Sequence, residues 1–134
     1  MQDLANRINQ SIHMSILQSG RLLVVAQVDC PDHFLATVRL GANIPIYTSA
    51  SGRAVAAYLN DEDLAHLLAA TGDEPMAARA AFLSDLAGVR VNGFYAGASH
   101  HVSGVLALSA PVFDMTRKVV AAVTTPFIQR SNAA

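Results

Sequence analysis

Residues 11–28, SIHMSILQSGRLLVVAQV, carry two strands and the turn that joins them. In the first half Ile12, Met14 and Ile16 alternate with His13, Ser15 and Leu17, the period of a strand rather than a helix. The second half, LLVVAQV, is rich in β-branched and apolar residues that suit a pleated surface. Ser19-Gly20 lies between them, with a glycine free to take positive φ, and so predicts a hairpin. Asp29-Cys30-Pro31-Asp32 should end the second strand, because proline donates nothing to a ladder. A third strand is expected over 33–40, where Phe34, Ala36 and Val38 alternate with Leu35, Thr37 and Arg39.

The period changes on either side of this unit. Upstream, Leu4, Ala5 and Ile8 fall at helical spacing within the otherwise polar residues 2–10, which predicts a short linker helix. Downstream, the small-residue loop Thr48-Ser49-Ala50-Ser51-Gly52 precedes a helix over RAVAAYL, ending at Leu59. Asn60 caps the next helix, with Asp61, Glu62 and Asp63 complementing its dipole and Leu64, Leu67 and Leu68 forming its apolar stripe. A third helix is expected over 77–90, with Phe82, Leu83, Leu86 and Val89 on one face. From Gly93 the period returns to two, giving strands at 94–98, 104–113 and 119–125. The order βββ, ααα, βββ predicts one α+β domain with an antiparallel sheet.

Apolar residues make up 52% of the 134 and charged residues only 14%. That implies a large buried fraction, with apolar surface for a partner to cover. Nine basic residues are dispersed in a chain of net charge −1, so the footprint of a phosphate-backbone binder is missing. One cysteine, Cys30, excludes an intrachain disulfide and a multi-cysteine zinc site. No apolar run approaches the roughly 20 residues needed to cross a bilayer, and the polar N-terminus lacks a signal-peptide layout. A cytoplasmic location without membrane contact is the expectation.

Chemistry-bearing motifs are few. There is no G-x-S-x-G elbow, no H-E-x-x-H and no phosphate-binding glycine motif, so no catalytic residue and no cofactor is expected. The loop before Arg53 carries three hydroxyls and opens a helix, where free N–H groups can hold an anion. Arg53 would either help hold a carboxylate or point to solvent. One of Thr124 and Thr125 must face inward by strand alternation. His100 and His101 are adjacent on a strand and point to opposite faces, so they do not share a metal, and no metal site is expected.

Four stretches, in order, resemble the effector-binding domain of IclR-type bacterial transcription regulators, whose fold is GAF-like. They are SIHMSILQSGRLLVVAQVD, RLGANIPIYTSASGRAVAAYL, FLSDLAGVRVNGFY and SGVLALSAPVFDMTRKVVAAVTTP. The resemblance covers about residues 11–127 and implies a roughly six-stranded, mostly antiparallel sheet with helices packed on it. Residues 1–10 would be a linker helix and 11–134 the effector domain. The family's winged helix-turn-helix is absent from the chain and its C-terminal helix is truncated or missing.

The resemblance also implies effector-binding positions: Ala50, Ser51 and Gly52 at the helix start, Ala107 on a strand, and the hydroxyls of Thr124 and Thr125. Two positions that are often acidic in the family fall on Gly97 and His100. Either one of His100 and His101 points into the pocket, where it could pair with a carboxylate, or both have a loop or surface role. The implied function is binding of a small organic effector, carboxylic or aromatic, lined by Ile46, Leu106, Leu108 and Val123. It would act in a homodimer or tetramer that reaches DNA only through a domain outside the chain. A stand-alone GAF-like dimerisation domain and a small GAF-like enzyme are the alternatives.

Overall fold

The computed structural model describes residues 2–8, 11–18, 20–28, 40–70, 76–98 and 106–127. A short helix α1 (Gln2–Ile8) leads into strands β1 (Ile12–Gln18) and β2 (Arg21–Val28). The two pair antiparallel as expected, and Gly20 in their turn takes φ 78°. Of the strand expected over 33–40, residues 33–39 lie outside the described residues, and Leu40 belongs to a turn. The next paired segment is the two-residue β3 (Asn43–Ile44), which alternation did not mark.

Three helices follow: α2 (Ala50–Ala56), α3 (Asp61–Ala70) and α4 (Met76–Asn92). Helix α2 begins three residues earlier than expected, so the small-residue loop is its first turn. Ser49 is the N-cap, in extended backbone, and its hydroxyl accepts from the Gly52 amide at 3.0 Å. Asn60 caps α3 as expected, its Oδ1 accepting from the Asp63 amide at 2.7 Å. Along α4, Phe82, Leu86 and Val89 are buried, whereas Leu83 is exposed at the rim of that face.

Strands β4 (Tyr95–Ala98), β5 (Leu106–Phe113) and β6 (Val119–Phe127) complete an antiparallel sheet ordered β3-β2-β1-β6-β5-β4. The fold is the expected α+β class with six strands. Helix α2 lies on β5, β6 and β4, and α4 covers α2. Between sheet and helices the core gathers Leu22, Val24, Ile46, Val55, Leu67 and Phe82. Where Leu17, Leu22, Ile46, Gly52, Val55 and Leu67 meet, no space large enough for a water is left. Among the described residues no helix is long and apolar enough to cross a membrane.

Candidate functional site

Strand pairing fixes which residues share the helix side of the sheet, because directly opposed residues point the same way. Thr124 is opposite Ser109 on β5 and opposite His13 on β1. Ala107 and Gly97 are opposed to each other on the same side, and Ser15 lies two residues along from His13. The only register shift in β1–β2 falls between Met14 and Ser15 on the β2 side, so the β1–β6 register is regular. One end of the inner face is therefore built from small and polar residues.

The hydroxyls there form a chain across three elements. Ser51 Oγ lies 2.7 Å from Thr124 Oγ1, which lies 2.8 Å from Ser109 Oγ. All three residues are buried. Hydroxyls both donate and accept, so the protons along this chain can be redirected without moving a heavy atom. A ligand that takes one bond from the chain re-aims the others.

The expected site residues divide. Ser51 and Thr124 are in direct contact, and Gly97 and Ala107 occupy the same face. Ala50 and Gly52 are buried in the first turn of α2, with the Gly52 amide taken by Ser49. Thr125 points to the other face, paired with exposed Leu108, and its buried Oγ1 has no partner. His100 lies outside the described residues, as do His101 and Cys30. Of the expected apolar lining, Ile46 is core, but Leu106, Leu108 and Val123 share the Thr125 face by alternation and do not line the inner side.

At Gly97 an added Cβ would come within 2.7 Å of the Tyr95 hydroxyl. The space that a side chain would fill is taken by the Tyr95 ring, two residues back on the same face.

Arg53 neither reaches into a ligand space nor points to solvent. It is 1% exposed, and its Nε donates to Asp85 Oδ2 on α4 at 2.7 Å. Nη1 donates to the carbonyls of Tyr47 and Ser49 at 3.0 and 3.2 Å. The guanidinium lies between the Phe82 and Tyr95 rings, 5.5 and 5.3 Å from their centroids. Burial raises the Tyr95 phenol pKa, against the pull of the Arg53 charge.

Sequence reasoning missed His13, Ser15 and Ser109. His13 is 5% exposed, and its Nε2 and the Ser15 Oγ are buried with no hydrogen-bond partner. Burial lowers the His13 pKa from 6.5 to about 4. The unfolded chain therefore holds a proton that the folded chain refuses between those two values. Stability should fall as pH drops from above 6.5 to about 4, by roughly 3 kcal/mol in all. Urea titrations across that window check this, with His13→Gln flattening the dependence; a variant as acid-sensitive as the parent would refute it.

A cleft of about 680 Å³ lies at the opposite end of β1 and β6, against α3, lined by Ile16, Leu17, Leu59, His66, Leu67 and Val120 among others. None of the expected site residues that are described borders it. Among the described residues no three His, Cys, Asp or Glu side chains gather as a metal site would require.

Comparison with known proteins gives one answer. The chain is 26% identical over 129 residues to the HTH-type transcriptional regulator XynR of Escherichia coli, covering 92% of this chain and 51% of that protein. It is 28% identical over 124 residues to the glycerol operon regulatory protein of Streptomyces coelicolor, covering 90% and 49%. Against the Escherichia coli transcriptional repressor IclR the identity is 24% over 131 residues, covering 92% and 48%. The chain thus spans about half the length of these relatives, which are transcriptional regulators and not enzymes.

Among solved structures, Pseudomonas aeruginosa HmgR superposes with a TM-score of 0.81 at 28% identity, covering 93% of this chain and 52% of that one. Thermotoga maritima IclR superposes at 0.82 with 19% identity, covering 96% and 54%, a likeness of fold. The family model described as bacterial transcriptional regulator IclR C-terminal matches residues 1–131, and the chain belongs to that family.

Proposed function

We propose that this domain binds a small organic effector on the inner face of its sheet, around Ser51, Ser109 and Thr124, and thereby biases an oligomer attached to a DNA-binding domain. The observation that carries this reading is the buried hydroxyl chain Ser51–Thr124–Ser109, joining the first turn of α2 to two strands. Ala50 and Gly52 in the first turn of α2, and Gly97 and Ala107 on the strands, are the other proposed contacts on this side. His100 and Thr125 remain proposed contacts from the family resemblance, although Thr125 would need a ligand or partner on the other face. A homodimer or tetramer in the cytoplasm is part of the same proposal and rests on the family resemblance, with DNA contacted through a helix-turn-helix of the kind the XynR name states.

The sequence expectation was a carboxylic or aromatic effector. Arg53 is committed to Asp85 and two carbonyls, so it offers a carboxylate no counter-charge. Binding on this face rests instead on hydrogen bonds.

Thermal unfolding of the chain against a library of small organic compounds tests the proposal. A binder at a hundredfold above its Kd should stabilise the parent by about 2.7 kcal/mol. Thr124→Val, which removes the central hydroxyl at nearly constant volume, should lose most of that gain. Equal shifts in parent and variant would place binding elsewhere and overturn the assignment.

A further inference from the structure

Two polar atoms on β1 are unexplained by the fold. His13 Nε2 and Ser15 Oγ are both shut away from solvent, and neither has a hydrogen-bond partner. Buried polar atoms are nearly always bonded, so two orphans on one strand face call for a cause. The hydroxyl chain does not supply one. Thr124, directly across from His13, already bonds Ser51 and Ser109, and Ser15 is opposite Ala122, which has nothing to offer. Residues two apart on a strand present their side chains roughly 7 Å apart, the span of a small molecule with polar groups at both ends.

We infer that His13 and Ser15 are the specificity groups of the site, and that they recognise an uncharged, hydroxyl-bearing effector. This rests on the effector-binding reading above and adds to it the chemistry of the ligand. A neutral imidazole nitrogen and a serine hydroxyl can each complete a bond with a ligand hydroxyl, which both donates and accepts. Burial keeps the imidazole in its neutral form at pH 7, with its pKa held at about 4. Among the described residues, the buried cation on this side of the sheet is Arg53, whose charge is already balanced by Asp85 and whose Nε and Nη1 are engaged by Asp85, Tyr47 and Ser49. A carboxylate here would find no uncompensated cation among the described residues, and burying it would cost far more than an extra hydroxyl. His13 Nε2 and Ser15 Oγ have no partner from the protein, and a polyol or sugar-like ligand would satisfy both.

The test pairs compounds that differ only in charge: glycerol with glycerate, and xylose with xylonate, measured by calorimetry and thermal unfolding on the full chain. The neutral member should bind and its acid should not. Ser15→Ala should raise the melting temperature of the unliganded protein by about 3 °C, by deleting an orphan hydroxyl, while weakening the neutral ligand about tenfold. His13→Leu should weaken it likewise, with His13→Asn recovering part of the loss. A Ser15→Ala protein that melts lower, or that binds as the parent does, overturns the inference. Binding of the acids alone, still sensitive to Thr124→Val, sinks this inference and spares the effector-binding reading; binding of neither series sinks both.

Discussion

Replacing Arg53 with methionine should lower the unfolding free energy by about 4 kcal/mol, because the guanidinium completes several buried bonds at once. Its loss takes one bond from each of the carbonyls of Tyr47 and Ser49, the latter keeping the backbone amide at position 53, and leaves Asp85 facing an apolar side chain. Asp85 is 39% exposed and can turn to water, so the cost falls mainly on the two carbonyls and on the packing between Phe82 and Tyr95. Arg53→Lys should recover little, since one ammonium cannot reproduce the planar fork that serves carboxylate and carbonyls together. Urea unfolding of the three proteins checks this. A loss below about 1 kcal/mol for Arg53→Met would show that the fold does not depend on these bonds.

Gly52→Ala should cost about 3 kcal/mol or more, for a steric reason. The Cβ of an alanine there would stand 2.0 Å from the Ile46 carbonyl oxygen, with two further Ile46 backbone atoms within 3 Å. Backbone cannot rotate out of the way as a side chain can, so α2 must lift from the segment after β3. That lift would part Ser51 from Thr124 as well, so the variant should lose effector response along with stability. Gly88→Ala is the control, because its added Cβ meets nothing within 4 Å. A helix-favouring alanine there should be neutral or mildly stabilising. Similar midpoints for the two variants in thermal unfolding would contradict the steric account.

Local chemistry made much of the fold legible. The Ser19-Gly20 turn between alternating segments marks the first hairpin, and Asn60 followed by three acids marks the start of α3, because caps and turns act within a few residues. The start of α2 was misplaced for a related reason. Ala50, Ser51 and Gly52 have the look of a loop, and only packing against Ile46 and Thr124 shows why a helix turn there must be small. Arg53 was out of reach, since its carboxylate partner is 32 residues away on α4 and no local pattern links them.

For the candidate site, alternation along β1 sorted His13 and Ser15 from Ile12 and Met14 but could not say which set faces the helices. Both Ile12 and His13 are buried, so the strand is covered on each side and polarity carries no sign of direction. The same parity problem put Leu106, Leu108 and Val123 on the wrong wall. Thr124 and Thr125 were narrowed to one inward residue, and register then chose Thr124.

Every residue of α2 is buried, from Ala50 to Ala56, and its ends are tied in different directions: Ser51 to the sheet, Arg53 to α4, and Ala57 just beyond it to Arg90. A segment with no wet side has no direction in which to yield quietly. Displacing it by a few tenths of an ångström must shift both layers that enclose it, since close-packed interiors transmit strain. A displacement at the Ser51 end of α2 is thereby passed on to α4, the seventeen-residue helix that covers its far side.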